Sequence, residues 1–247
     1  MHNNFENLNV VDKKESSMLL GVLVSFFTIV LVLLTILLIV HSIVYRPSSV
    51  QGPSMMNTLN PRSTYRTEHD IVYVNRFATI NRFDIIVIND TIHVNEEIVK
   101  RVIGMPGDRI LIAQNPDNYY TIQVKLNGEW LEEDYIFDTT IYFQSNNNGM
   151  QKTLNDFQNL RQNSNNPNHS NYRPYLFNSD GELVVPSSEV FVLGDNRGRS
   201  DDSAMYGTYP MSSIVGRVDF IIPFGTNILT YFLYRAFPFL NLGIVRL

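Results

Sequence analysis

The sequence contains no cysteine, a single tryptophan and no run of basic residues. Without cysteine the chain forms no disulfide bond, no cysteine-ligated zinc site and no thiol nucleophile. Its 24 acidic and 19 basic residues give a net charge of −5, so we do not expect nucleic acid as a partner. The five histidines match no metal-binding motif, and no Gly-x-Ser-x-Gly motif is present. Serine chemistry in this chain would therefore need a base other than histidine.

One stretch lacks charge altogether: Met18 to Val40 is apolar without a single ionisable residue. A helix needs about 20 such residues to cross the hydrocarbon core of a membrane. The apolar region of a cleaved signal peptide is shorter, about 7–15 residues, and precedes a small-x-small site, which is missing here. We therefore predict a transmembrane anchor over residues 18–44, after a polar tail at 1–17.

Charges beside this segment leave its orientation open. Lys13 and Lys14 precede it, and Arg46 and Arg62 follow it. Positive residues are enriched on the cytoplasmic side of membrane spans. The lysine pair favours a cytoplasmic N-terminus, but the difference between the two sides is small.

Most of the remaining chain alternates apolar and polar residues in short runs between turn residues. Asn127-Gly128 is a good hairpin turn between two such runs. Short strands at this spacing favour a β-barrel or sandwich-like domain over a parallel α/β sheet. We predict a mainly β domain over residues 45–227, with strands at 70–75, 83–88, 97–103, 109–112, 121–126, 129–131 and 189–193.

Two further segments differ in composition. Residues 138–182 are rich in Asn, Gln and Ser, and we interpret them as a polar insertion with a short helix near 152–161. A surface elaboration explains this insertion better than a binding site does. Residues 228–247 are apolar and aromatic but are interrupted by Arg235 and Pro238. Contact with the membrane interface and packing onto the β domain both account for this tail.

Ser54 and Lys100 are the residues with the clearest chemical potential. A serine hydroxyl is a weak nucleophile until a neighbouring base takes its proton, and lysine serves as that base only when it is neutral. Lowering a lysine pKa from about 10.4 to near 7 costs roughly 4–5 kcal/mol, which burial can supply. Strand alternation places Lys100 on one face with Ile98 and Val102. From the residues alone, a surface lysine with a partly buried stem is the commoner interpretation.

Four motifs in order resemble those of the type I signal peptidases, membrane-bound serine/lysine peptidases that remove secretory signal peptides. Their family patterns are Ser-Met-x-Pro-Thr-Leu, Arg-Gly-Asp-Ile-Val-Val, Lys-Arg-Val-Ile-Gly-x-Pro-Gly-Asp and Gly-Asp-Asn-Arg-x-x-Ser-x-Asp-Ser. The matching stretches here are 54–59, 82–87, 100–108 and 194–203. Together the motifs span most of residues 50–110 and 190–220. The insertion and the C-terminal tail lie outside the resemblance.

The resemblance implies a role for several residues. Ser54 falls at the nucleophile and Lys100 at the general base. Ser200 falls where the family hydrogen-bonds the lysine, and Asp202 where it supports the site. The family pattern also implies a structural ion pair between Arg101 and Asp195.

Three residues depart from the family pattern. Asn57 stands where proline is usual, and Ala204 replaces an arginine that would pair with Asp202. Gly52 stands where some members place a serine that helps to bind the oxyanion. Glycine at this position resembles the Gram-positive bacterial branch and leaves the Ser54 backbone N–H as the oxyanion donor.

The resemblance further implies an endopeptidase that forms an acyl-enzyme on Ser54, without metal or cofactor. Its partners would be the signal peptides of exported preproteins, bound in extended form, and the lipid bilayer. Met55 would lie near the substrate and, with apolar neighbours, would press into the outer leaflet. The β domain would lie outside the cytoplasm, with the N-terminus inside.

Three alternative functions agree less well with the sequence. A self-cleaving Ser/Lys repressor is disfavoured by the transmembrane segment. A catalytically inactive, signal-peptidase-like assembly factor or chaperone would be expected to lack Ser54 or Lys100, and both are present. An anchored β domain with purely structural motifs requires both residues to be coincidences.

Overall fold

The computed structural model describes the chain with several gaps. The described residues are 3–56, 58–59, 69–91, 93–115, 122–136, 149–169, 173–174, 176–225 and 245–246, with side chains described between residues 18 and 225. They belong to two compact units, Met1–Tyr45 and Arg46–Leu247. The departure at Asn57 lies outside the described residues.

The first unit is a single helix, α1 (Asn3–Val44). Its part from Met18 to Val44 has a mean hydropathy of 3.1 and exposes its side chains. Ser25, Thr28 and Thr35 donate to the carbonyl four residues earlier, at 2.9, 2.8 and 2.8 Å, so their hydroxyls are satisfied within the helix. By length and composition this helix can cross a membrane.

The second unit consists mainly of antiparallel strands. Those described are β1 (Tyr45–Ser49), β2 (Ile71–Asn75), β3 (Ile85–Asp90), β4 (Glu96–Gly104), β5 (Arg109–Gln114), β6 (Ile122–Leu126), β7 (Glu129–Trp130), β8 (Leu183–Val184), β9 (Glu189–Leu193), β10 (Tyr209–Pro210), β11 (Ile214–Ile222) and β12 (Val245–Arg246). The larger sheet has the order β1-β2-β11-β3-β4-β9-β10, and β12 also pairs with β11. The smaller sheet has the order β7-β6-β5-β8.

The helices of this unit lie near its polar loops. They are α2 (Gly149–Ser164) and α3 (Ser203–Tyr206), with short 3-10 turns at Arg197–Arg199 and Met211–Ser213. α2 buries Met150, Phe157 and Leu160 in a core cluster shared with β4, β5, β6, β8 and β9. The inserted segment therefore contributes to the core, and our interpretation of it as a surface elaboration is wrong for this helix.

The prediction of a mainly β domain after an apolar helix is confirmed, but the barrel-like form is not. Within the described residues the strands form two open sheets rather than a closed barrel. The nine-residue strand β11, which lies inside the larger sheet, was not predicted. Of the C-terminal tail, Val245–Arg246 pairs with β11, whereas 226–244 lie outside the described residues.

Candidate active site

Ser54 lies on a turn that follows β1. Met56 N donates to the Pro53 carbonyl at 3.0 Å, and Leu59 N donates to the Met55 carbonyl at 2.8 Å. The side chains of Met55 and Leu59 are buried in the core beneath the turn. Because apolar side chains fix the turn from below, the half-buried Ser54 hydroxyl is held in place.

Burial of Met55 corrects one expectation. Its side chain is only 1% exposed and packs in the cluster that includes Val72 and Val74 of β2. A side chain in this position does not reach a membrane. Met55 therefore anchors the turn from inside the domain.

Lys100 lies in the middle of β4 and points at this turn. It shares a face with Ile98 and Val102, which pack in one core cluster, and it lies opposite the fully buried Ile86 of β3. The alternation expected from the sequence is therefore observed. Lys100 is only 4% exposed, and its Nζ donates to Ser54 Oγ at 3.0 Å.

The surroundings of Lys100 favour its neutral form. Burial is the largest influence and lowers the lysine pKa, while the charges of Asp202, Asp201 and Asp90 raise it and that of Lys152 lowers it again. Burial prevails, so the pKa of Lys100 lies below its ordinary value. A buried lysine with a lowered pKa beside a serine hydroxyl is the arrangement that a general base requires.

A loop between β9 and α3 closes the other side of the site. Asn196 N donates to the Ser54 carbonyl at 2.9 Å, which ties this loop to the serine turn. A Cβ at Gly194 would collide with the Ser54 carbonyl oxygen and the Ser200 side chain. Only glycine allows the two segments to approach this closely.

Asp202 is buried inside the same loop. Its carboxylate accepts hydrogen bonds from Gly194 N at 3.0 Å and from Ala204 N at 3.1 Å, and it caps α3. Burial raises the pKa of this carboxyl, although these bonds and the charge of Lys100 act in the opposite direction. The residue that replaces the family's arginine thus supports Asp202 through its backbone.

Ser200 is buried in the site, but it does not make the contact that the resemblance implies. Its side chain lies beside the Gly194 backbone. Among the described residues, its Oγ has no partner at hydrogen-bond geometry, so the expected bond to Lys100 is not formed.

The expected ion pair between Arg101 and Asp195 is present and forms part of a larger network. Arg101 Nε and Nη2 lie 2.8 and 2.6 Å from the two Asp195 oxygens, and the Thr58 hydroxyl donates to the same carboxylate. Arg101 also lies over the ring of Tyr135, 4.0 Å from its centroid. Asp195 therefore links the serine turn, β4 and the Gly194 loop.

Gly52 adopts a φ of +82°, in the left-handed region that favours glycine. A Cβ at this position would meet no atom of the described residues within 4 Å. The position is therefore restricted by its backbone, while the space beside it is open.

Sequence reasoning missed several residues that hold the site together. Glu133 forms a buried ion pair with Arg197, whose Nε also donates to the Gly194 carbonyl at 3.1 Å. Thr58 and Arg197 lie in the motif stretches 54–59 and 194–203, and this position was the sequence feature that could have indicated them. Glu133 and Lys152 lie outside the motifs, and nothing in their sequence context indicates contact with this loop.

Comparison with known proteins identifies one family over most of the chain. A family model described as "Signal peptidase, peptidase S26" matches residues 23–223. Signal peptidase I of Bacillus caldolyticus is 36% identical over 177 residues, which cover 69% of this chain and 75% of that protein. Signal peptidase I of Streptococcus pneumoniae serotype 4 is 29% identical over 181 residues, covering 69% of this chain and 78% of that protein.

A solved structure of a signal peptidase I from Enterococcus faecalis V583 is 25% identical and covers 57% of this chain and 97% of its own. Its TM-score of 0.34 is too low to show a shared fold. The Bacillus and Streptococcus relatives come from Gram-positive bacteria, the branch that Gly52 indicates. The chain therefore belongs to the signal peptidase family, peptidase S26, and is a serine endopeptidase.

Proposed function

We propose that this chain is a membrane-anchored peptidase that removes signal peptides from exported preproteins, with Ser54 as nucleophile and Lys100 as general base. The observation that carries the proposal is the 3.0 Å hydrogen bond between Lys100 Nζ and Ser54 Oγ. The family of the chain supports the substrate class, and the burial of Lys100 supports its role.

In the proposed reaction, neutral Lys100 accepts the Ser54 proton as Ser54 Oγ attacks the carbonyl carbon at the end of the signal peptide. The lysine then gives this proton to the leaving amine, and an ester joins Ser54 to the signal peptide. Lys100 next takes a proton from water, which hydrolyses the ester and releases the signal peptide. The serine hydroxyl recovers its proton in that last step.

Negative charge on the carbonyl oxygen needs a donor during both attacks. We assign this role to the Ser54 backbone N–H, next to the open space at Gly52. Removing one oxyanion donor from a serine protease costs on the order of 100- to 1000-fold in rate, so this interaction carries much of the catalysis. Met55 follows Ser54 in the chain, but its side chain is buried in the core and anchors the turn.

We further propose that α1 anchors the chain in the membrane and places the β domain outside the cytoplasm. Its apolar segment of 27 residues is about 40 Å long as a helix, which exceeds the hydrocarbon core of about 30 Å. Preproteins are exported across the same bilayer, so their cleavage sites emerge close to an anchored enzyme. Digestion of the β domain by protease added to intact cells is expected, and full protection would refute this orientation.

The test of the dyad is cleavage of a preprotein with an Ala-x-Ala site by the full chain in detergent micelles. Ser54→Ala and Lys100→Met are each expected to lose at least about 1000-fold in kcat/KM, because neither leaves a proton-transfer pair. Lys100→Arg, which keeps the charge but cannot become neutral, should be equally inactive.

Two matched controls separate the dyad from general effects of substitution. Ser212→Ala alters an exposed serine, and Lys125→Met removes a lysine from β6. Both are expected to cleave at the wild-type rate. An inactive wild type, or a Lys100→Met chain that still cleaves, would overturn the assignment.

A further inference from the structure

Lys152 connects the inserted helix α2 to the loop that supports the dyad. Its Nζ donates to the Ser200 carbonyl at 2.9 Å and pairs with Asp201 at 3.0 Å and with Asp156 of its own helix at 2.7 Å. The side chain of Lys152 is 32% exposed, so its contacts with the Ser200 carbonyl and Asp156 are partly shielded from water, whereas the Asp201 side chain is 58% exposed. Hydrogen bonding to the two carboxylates keeps its pKa above the ordinary value despite burial, and the side chain stays charged.

The neighbouring residue strengthens the same connection. Thr153 is buried, and its hydroxyl donates to the Arg197 carbonyl at 3.1 Å. Adjacent residues of α2 therefore bind both ends of the segment from Arg197 to Asp201. The packing of Phe157 into the core fixes the helix from which they project.

This segment lies beside the proposed base. Asp202 follows directly and is buried next to Lys100, whose pKa is affected by the charges of Asp202, Asp201 and Asp90 and, in the opposite direction, of Lys152. In the family pattern an arginine follows Asp202-Ser203, and Ala204 stands there instead. Asp202 therefore lacks that arginine as a partner. Arg197 of the same loop is paired with Glu133, and α2 adds a further cation, Lys152, at Asp201.

We propose that Lys152 is a positioning residue for catalysis: it holds the Ser200–Asp202 segment and offsets the acidic charge of that segment beside Lys100. The inference rests on the proposed function, because it assumes that Lys100 acts as the base. Through Lys152, the insertion would contribute to the reaction.

The charges of Lys152 and Asp201 act in opposite directions on the pKa of Lys100. Without Lys152, the uncompensated charge of Asp201 favours protonated Lys100, and the acidic limb of the pH profile moves to higher pH. Without the Asp201 charge, Lys100 loses its protons more easily, and the limb moves to lower pH. A mere loosening of the loop would move both variants in the same direction.

The other charged or titratable groups near this cluster include Asp156 on α2, Asp90 on β3 with His93 beside it, Tyr206 on α3, and the buried pair of Arg197 and Glu133. None of them is altered in these variants. The opposite shifts therefore report on the Lys152–Asp201 pair itself.

The experiment measures kcat/KM against pH for the full chain in micelles, with the Ala-x-Ala preprotein as probe. For Lys152→Met we expect the acidic limb to move to higher pH by about half a pH unit or more, since a nearby charge moves a pKa by this order. For Asp201→Asn we expect it to move to lower pH. Lys152→Arg should restore the wild-type limb. Lys125→Met, which removes a lysine next to the Trp130 ring, should leave the limb unchanged.

Each outcome decides one of the two proposals. If wild type cleaves, Ser54→Ala is inactive and the limb of Lys152→Met does not move, the positioning role of Lys152 is wrong while the dyad stands. Shifts of the same sign in Lys152→Met and Asp201→Asn would also overturn it. If Ser54→Ala still cleaves, the proposed function itself fails.

Discussion

At the scale of single residues, Lys100 shows how a side chain acquires its chemistry from its neighbours. Three branched residues, Ile86, Ile98 and Val102, lie around it on β3 and β4. They remove water from the ammonium form, which needs it more than the neutral amine does. The same lysine on an exposed strand would stay protonated at neutral pH.

This burial predicts the pH dependence of the enzyme. A lowered pKa means that Lys100 loses its proton at a pH below about 10.4, the value of free lysine. Activity requires the neutral amine, so kcat/KM should be low at acidic pH and rise with pH through the pKa of Lys100. A pH profile of preprotein cleavage measures this, and a limb at the value of free lysine would contradict it.

Strand alternation correctly predicted which residues share a face with Lys100, although from the residues alone a surface lysine was the commoner interpretation; its role as the base stays a prediction. Prediction from sequence failed for Ser200 and Met55, because the orientation of a loop side chain depends on tertiary packing that a motif does not encode. Phe83 shows a further limit. It adopts a φ of 70° at the position where the family motif has glycine, and a phenylalanine gives no sign of that backbone conformation.

At the scale of secondary-structure elements, two of the motifs also contribute residues that stabilise turns, Arg82 and Asp108. The Asp108 carboxylate, after β4, accepts bonds from Arg82 at 2.7 and 3.1 Å, from Met105 N at 2.6 Å and from Asn127 Nδ2 at 2.8 Å. One carboxylate thus connects the turn before β3, the turn before β5 and the β6–β7 hairpin. Charge-assisted networks of this kind hold neighbouring turns in register.

We predict that Asp108→Asn lowers the free energy of unfolding by about 1.5–3 kcal/mol at pH 7, the usual worth of hydrogen bonds to a charged group. Burial acts to raise the pKa of Asp108, but the bonds from Arg82, Asn127 and Met105 prevail and lower it. The ionised form therefore adds stability above the unfolded pKa of about 4, and this is lost as pH falls through the folded pKa.

Urea unfolding of wild type and variant at several pH values measures this difference. It should be largest at neutral pH and shrink below about pH 4, where the carboxyl is protonated in the unfolded chain as well. Asp180→Asn, at an exposed position in the insertion, is the matched control and should change stability little. A pH-independent difference would contradict the role of the charge.

Elements with clear alternation were predictable, and two others were not. The strands around Lys100 were found within two or three residues of their bounds, since apolar and polar residues alternate there. β11 was missed although it lies inside the larger sheet, where Gly216 leaves room for the Asn75 carbonyl. The core packing of α2 was also missed, because only Met150, Phe157 and Leu160 of its apolar residues are buried in a polar sequence.

At the scale of the whole molecule, the chain consists of two compact units, Met1–Tyr45 and Arg46–Leu247. The three core clusters of the second unit contain residues from Val50 onward and none from α1. The family match covers residues 23–223, so it begins inside α1 and includes part of each unit. We assign the proposed anchoring to the first unit and the proposed catalysis to the second.

We predict that a chain beginning at Arg46 keeps its fold and its dyad but cleaves membrane-inserted preproteins more slowly than the full chain. Its Tm should lie within a few degrees of that of the full chain, and its kcat/KM for a soluble peptide with an Ala-x-Ala site should be within about twofold. Against a preprotein inserted in liposomes we expect a loss of about ten- to a hundredfold, because an anchor raises the effective concentration of enzyme and substrate in the same bilayer.

Circular dichroism and parallel assays with the peptide and the liposomes measure both parts. The full chain carrying Ser54→Ala is the control for background cleavage. Equal loss on soluble and membrane substrates would mean that α1 supports the catalytic unit itself. Unchanged cleavage in liposomes would mean that the anchor contributes nothing to encounter, since residues 46–247 would then find the membrane substrate on their own.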